Sequence, residues 1–379
     1  MVSTCPGGSC RAVARASIEP VEHAGIADAR SALGSARGGF FVAGEDGPGG
    51  RRLAGSALLH AEQPEGEGGA PHPHATAARI AHGIGLTLLH SSYEVIDPDV
   101  ERFREEGVLV LQGLLQPEEL AVLQRETLAL VQRAQQGQQD DPDYLYTTHE
   151  TTGAEVPYRV KYVLDKPPAC RALFGQPSVL RPVERLQGPH FIPTWDSMVF
   201  KVEGAGASIP WHRDQGLDHE PVAPIFNVDF YLDASDATNC LWAAPGSHRF
   251  SNAAAQATVE RLSDGGFRTD GAVALEMQPG DVLLHDILVV HGSPPARSGL
   301  RRVLSYEFRS AEEELVHGPH LPEYAHLKRR VLRACLGERA GRAYSQREQP
   351  YVYNGGDSEP PPTYRYPHAE YWRASPPNG

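Results

Sequence analysis

Gln278-Pro279-Gly280-Asp281-Val282-Leu283-Leu284-His285-Asp286-Ile287-Leu288-Val289-Val290-His291-Gly292-Ser293, followed by Arg301-Arg302-Val303-Leu304-Ser305-Tyr306-Glu307-Phe308, is the stretch that decides the fold. A Pro-Gly-Asp turn, short apolar runs over 282–285 and 288–291, and a longer β-forming run over 301–308 read as one hairpin-like unit. Upstream, β-formers bounded by Pro, Gly or Asp give further strands over 158–164, 191–202, 225–232, 240–244 and 273–277. Two helical patterns precede them. Val100 and Phe103 open the first, and Pro117 starts an amphipathic helix to about Ala134 whose Leu120, Leu123, Leu130 and Val131 recur at helical spacing. Many short strands after a few helices imply a mainly β fold with flanking helices, arranged as a barrel or double-sheet jelly roll.

The chain divides by texture into three segments. Residues 1–95 are rich in Gly, Ala and Arg, with Gly-Pro-Gly-Gly at 47–50 and a Pro/Glu/Gly stretch at 63–71, a composition that buries little and predicts a flexible segment. His72, His74, His82 and His90 fall here without a scaffold to hold them. A domain covers 96–312, and 313–379 holds a helix through Leu327, Val331 and Leu332 before a tail rich in Pro and Tyr.

Across 379 residues, 40% hydrophobic and 22% charged residues describe an ordinary globular chain, and a formal net charge of −13 opposes binding to nucleic acid or an anionic membrane. A small-molecule substrate suits it better. No run approaches the roughly eighteen apolar residues of a membrane span, and Met1 to Ser17 lacks a signal-peptide core, so a cytoplasmic location is the expectation. Cys5, Cys10, Cys170, Cys240 and Cys335 show no paired CxxC spacing, so they indicate neither a disulfide frame nor a zinc knuckle.

Chemistry concentrates in Trp211-His212-Arg213-Asp214. A histidine and an aspartate two apart at a strand end can share one face and offer two adjacent ligands to a metal. His291 supplies a third, which completes a 2-His-1-carboxylate set with open positions on the opposite face. His285 is the competing third ligand and is expected to be dispensable for metal binding. A guanidinium on the following strand adds a fork suited to the distal end of a dicarboxylate.

With these parts in place, the sequence resembles the phytanoyl-CoA dioxygenase family of iron- and 2-oxoglutarate-dependent oxygenases. The resemblance runs from Asp97 to Arg309. It includes 103–115, 159–174, 181–189, 197–214, Asn239-Cys240-Leu241-Trp242-Ala243-Ala244-Pro245-Gly246-Ser247-His248, and 279–308. It implies a double-stranded β-helix, or cupin-like jelly-roll, core. It also implies Fe(II), 2-oxoglutarate and O2 as cofactors, with ascorbate as an auxiliary, and hydroxylation of a small organic substrate with release of succinate and CO2. The metal ligands map onto His212, Asp214 and His291.

By the same resemblance, an arginine after His291, assisted by Ser293, holds 2-oxoglutarate. Counting from His291 favours Arg302, whereas aligning the strand favours Arg301, which we prefer. The two point to opposite faces, and the outer one is expected to matter little. Lys161 and Met198 carry over as further cosubstrate contacts. Asn227 and Asp229 could face the pocket, and Asp218 and His219 fall in a loop at its mouth. His248 reads as part of a structural turn. The aspartate at 214 favours hydroxylation over halogenation, which needs a small residue there. A hydrolytic or isomerising metalloenzyme and a metal-free binding protein on the same barrel remain alternatives.

Overall fold

A computed structural model describes residues 88–89 and 97–373, except 139, 203, 205, 216, 218, 297–298 and 356–358. The expected flexible segment 1–95 lies outside these residues apart from one two-residue strand, as do Cys5, Cys10, His72, His74, His82, His90 and Asp218.

In chain order the elements are β1 (Leu88–Leu89), α1 (Asp97–Glu106), β2 (Val108–Leu111), α2 (Pro117–Gln135), β3 (Tyr144–Thr148), β4 (Glu155–Lys161), α3 (Pro168–Phe174), α4 (Pro177–Gln187), β5 (Phe191–Lys201), β6 (Ile209–His212), β7 (Phe226–Tyr231), β8 (Leu241–Ala243), α5 (Asn252–Gly265), β9 (Val273–Leu275), β10 (Val282–Asp286), β11 (His291–Ser293), β12 (Arg301–Ser310), α6 (Ala311–Val316), α7 (Pro322–Ala340) and α8 (His368–Tyr371). Among the described residues, eight strands form one sheet in the order β1-β2-β10-β7-β12-β5-β4-β3, and four form another in the order β6-β11-β8-β9. All pairs are antiparallel except β1 with β2.

Alternation along β12 sorts the layers. Arg301, Val303 and Ser305 line a cavity between the sheets, while Leu304, Tyr306 and Phe308 join the helix-side core with Leu123 and Leu130 of α2 and Leu173 of α3. Between the sheets, Val108, Val110, Tyr231, Leu283 and Val303 pack against Leu241, Ala243, Leu275 and Met277. Burying one such aliphatic side chain contributes about 1.5–3 kcal/mol. The outer face of the small sheet, with Trp211, Trp242 and Val290, is covered by Ala255 and Leu262 of α5. This is the expected mainly β jelly roll with flanking helices.

The C-terminal helix is part of the same packing. Tyr324, Val331, Leu332 and Cys335 of α7 sit in the helix-side core. Lys328 Nζ meets Asp196 Oδ1 at 2.8 Å, and Arg339 forks onto both oxygens of Glu119 in α2 at 2.6 and 2.9 Å. Further on, Arg365 forks onto Asp143 at 2.9 and 3.0 Å, with Lys166 on the same carboxylate at 2.9 Å.

Two runs differ from expectation: the strand expected over 158–164 ends at Lys161 and gives way to a 3-10 turn over Val163–Asp165, and a second run is largely lost. The run 288–291 is mostly turn, and β11 begins only at His291. Asp286 makes the turn: its side chain accepts the Leu288 N–H at 2.8 Å and its carbonyl accepts the Val289 N–H at 3.0 Å.

Candidate metal centre

β6 and β11 bring the histidines together as directly paired residues, His212 opposite His291, with ring centroids 4.3 Å apart. The two backbones approach closely because residue 292 is glycine. A Cβ there would lie 2.9 Å from the Ile209 carbonyl and 3.1 Å from the Pro210 carbonyl. Asp214 is not itself on the strand: β6 ends at His212, and Asp214 is held by its own N–H, which donates to the Ile287 carbonyl at 3.1 Å. The i, i+2 spacing therefore gives proximity, and the β10–β11 turn gives position. Between the two ligands, Arg213 turns away to donate to the Ser247 and Phe250 carbonyls.

One ligand atom from each of His212, Asp214 and His291 lies within 4.8 Å of the others. Asp214 Oδ1 is 3.5 Å from His212 Nε2 and 3.7 Å from His291 Nε2. His212 Nδ1 donates to the Pro210 carbonyl at 2.8 Å, and His291 Nδ1 donates to the Val289 carbonyl at 2.9 Å. A carbonyl can only accept, so each ring carries its proton on Nδ1 and turns a free Nε2 lone pair inward, the form that binds a metal. Burial and the neighbouring His212 push His291 down to about 3, which keeps it neutral. The donor set fits a divalent transition metal with three ligands on one face.

The far side of Asp214 is also held. Asn227 Nδ2 donates to Oδ2 at 2.9 Å, and His285 Nε2 is 3.5 Å from the same oxygen, with its Nδ1 3.0 Å from Asp229 Oδ2. Burial lowers His285, but Asp229 and Asp214 outweigh it and raise it to about 10. His285 is thus outside the three-ligand cluster, yet it braces the carboxylate, which the expectation of a dispensable residue did not foresee. Asn227 and Asp229 line the cavity, and sequence reasoning marked both.

The cavity continues from the cluster to Arg301 and Ser293. Arg301 Nη1 donates to the Asn239 carbonyl at 2.6 Å, and its guanidinium lies 5.9 Å from the Tyr231 ring. Ser293 Oγ and Tyr231 Oη are buried without a partner, vacant hydrogen-bonding capacity that fits an anionic ligand's oxygens. Arg302 is directed the other way, where it forks onto Asp233 at 2.7 and 2.8 Å and donates to the Gln124 carbonyl at 2.5 Å.

Two expected cosubstrate contacts sit elsewhere. Met198 is fully buried in the helix-side core beside Val160 and Leu304, because its parity on β5 is opposite to that of cavity-lining Val199, so packing replaces the expected contact. Lys161 is on the cavity side of β4, opposite Ser197, but it does not line the cavity, and its ammonium lies 5.8 Å from the Tyr162 ring. Arg159, two residues earlier, lines the cavity instead. Nothing in its residue type set it apart from Lys161.

The Pro-Gly-Ser-His block is structural. Ser247 Oγ accepts the Val290 N–H at 2.8 Å, next to His291, and His248 Nε2 meets the Arg104 carbonyl at 3.0 Å. His219 Nε2 lies 2.6 Å from Glu313 Oε1, which ties the loop after Asp214 to α6. Cys170, Cys240 and Cys335 are buried free thiols. No helix among the described residues is long and apolar enough to cross a membrane.

Two facing β-sheets that converge a His-Asp-His cluster beside a buried arginine define a jelly-roll protein of the facial-triad type. The family model for phytanoyl-CoA dioxygenase (PhyH) matches residues 103–303, more than half of the chain, and the protein belongs to that family. Phytanoyl-CoA dioxygenase domain-containing protein 1 of Danio rerio is 25% identical over 194 residues, 40% of this chain and 65% of that relative, so the match spans just under two thirds of its length. Among solved structures, AviO1 from Streptomyces viridochromogenes Tue57 is 29% identical at a TM-score of 0.49, covering 56% of this chain and 94% of its own. The non-heme alpha ketoglutarate dependent carbocyclase SnoK from nogalamycin biosynthesis is 19% identical at a TM-score of 0.48, covering 58% and 86%.

Proposed function

We propose that the protein is an Fe(II)- and 2-oxoglutarate-dependent oxygenase that oxidises an unactivated C–H bond of a small organic substrate. The observation that carries this reading is one cavity that joins the His212-Asp214-His291 cluster to Arg301 and Ser293. A hydrolytic metal enzyme would use the same three ligands but has no call for a buried guanidinium beside an unpartnered hydroxyl.

His212 and His291 offer neutral nitrogens, and Asp214 offers one oxygen while Asn227 and His285 hold the other. All three ligands line the same cavity and would hold the metal at its wall. Arg301 and Ser293 would hold and orient the distal carboxylate of the dicarboxylate. When bound, iron with 2-oxoglutarate and O2 supplies the oxidation, and succinate and CO2 leave. Asp214 fills the position that a halide would need, which favours hydroxylation.

The test is succinate release from 2-oxoglutarate, with Fe(II) and ascorbate, across candidate substrates. Metal and 2-oxoglutarate titrations should each saturate at one equivalent. A protein that binds a divalent metal but not 2-oxoglutarate would sink the proposal.

A further inference from the structure

At the end of the cavity that Arg301 lines, two cations lie side by side. Lys201 on β5 is the direct partner of Arg301 on β12, and the two are 2% and 3% exposed. Among the described residues neither makes an ion pair with a carboxylate; their hydrogen bonds go to backbone carbonyls. Adjacent buried like charges oppose each other and both resist losing water, a cost that an anion between or before them relieves. Burial and Arg301 together hold the Lys201 ammonium well below its ordinary value.

The lysine acts at one place on the chain. Its Nζ donates to the Ser293 carbonyl at 3.2 Å and to the Pro294 carbonyl, just after His291 and Gly292. The root of the side chain is packed closely: Gly206 bridges to Ala296, and a Cβ at 206 would lie 2.7 Å from Lys201 Cβ. Ser293 lines the cavity whereas Lys201 does not, and the Ser293 hydroxyl is the buried group without a partner.

We propose that Lys201 is a positioning and charge-selecting residue for the cosubstrate. It clamps the Ser293-Pro294 carbonyls so that Ser293 Oγ and Arg301 face the same carboxylate, and an anion bound in front of Arg301 favours the lysine's charged form in turn. The cavity thereby selects a 2-oxo acid that carries a second carboxylate over one that does not. This rests on the cosubstrate reading above.

The experiment is calorimetric titration of the full-length protein, loaded with Zn(II) in place of iron, with 2-oxoglutarate and with 2-oxopentanoate, which keeps the keto acid and lacks the distal carboxylate. Lys201→Met should weaken 2-oxoglutarate roughly ten- to hundred-fold while 2-oxopentanoate shifts by less than about two-fold. Lys201→Arg should recover most of the loss, and zinc stoichiometry should hold in all variants. If Lys201→Met does not fold, Lys201→Gln carries the same comparison. Unchanged 2-oxoglutarate affinity, or an equal loss for both acids, overturns the assignment to Lys201 alone. Wild-type protein that binds neither acid overturns the cosubstrate reading and this one with it.

Discussion

His212 and His291 stand directly opposite each other on β6 and β11, and each donates its Nδ1 proton to the carbonyl two residues before it, at 2.8 and 2.9 Å. The same backbone device therefore sets both tautomers, and no side chain outside the two strands is needed to turn the rings inward.

Replacing His212, Asp214 or His291 by Ala should abolish tight metal binding and 2-oxoglutarate turnover. His285→Ala and Asn227→Ala should keep a site but weaken it by roughly 10- to 100-fold, since each removes a brace from Asp214 Oδ2 rather than a ligand. Metal titration followed by calorimetry checks the order. A His285→Ala protein with no site, beside a His291→Ala protein that keeps one, would reverse the assignment.

Arg301→Gln should weaken 2-oxoglutarate binding by roughly ten- to several-hundred-fold, with the fold intact. Arg302→Gln should leave that affinity near wild type and instead cost about 3 kcal/mol of stability, because Asp233 loses its forked partner against α2. The contacts of the outer arginine are with Asp233 and α2, so its loss should be read in stability. Urea denaturation beside ligand titration separates the two effects.

Gly292→Ala should cost about 1–3 kcal/mol and weaken metal binding, since the added methyl can be fitted only by moving β11 from β6. If metal affinity stayed at wild type while stability fell, the spacing of the two strands would not control the site.

Asp143 gathers Arg365 and Lys166. Burial raises its carboxyl, but those two cations outweigh burial and hold it below its ordinary 3.8. A depressed folded value contributes stability that is present above 3.8 and lost as pH falls through the lower value. The C-terminal segment should thus stay docked through neutral and mildly acid pH and loosen only below about pH 4. Asp143→Asn should loosen it at neutral pH, as limited proteolysis after α7 would show.

Much of this was legible in the sequence, and the exceptions share a cause. The HxD pair stands out by its spacing in the sequence, and the opposite faces of Arg301 and Arg302 follow from strand parity. Helices α3 and α4 are hard to see in the sequence: Pro168, Pro177 and Pro182 look like breaks, yet the first two prolines sit in the first turn, where their missing N–H costs nothing. The bracing of Asp214 by His285 and Asn227 depends on β10 lying beside β7, and the anchoring of Asp214 on Ile287 depends on a turn from a distant segment. No local pattern announces such pairings. Met198, carried over from the family resemblance, has the parity opposite to that of cavity-lining Val199, so its side chain packs in the helix-side core.

The pairing of β6 with β11 also bears on the order of assembly. The strands that carry the histidines are short and distant in the chain, so they gain little from each other until the small sheet they share has formed. Closing so large a loop is a late and slow event in a β-rich chain. A partly folded molecule then presents at most scattered ligands, and metal captured at full strength reports that the native topology has been reached. An ion that bound only that end state would draw the folding equilibrium toward it by mass action, so a chelator should lower final stability while leaving the early steps of folding unchanged.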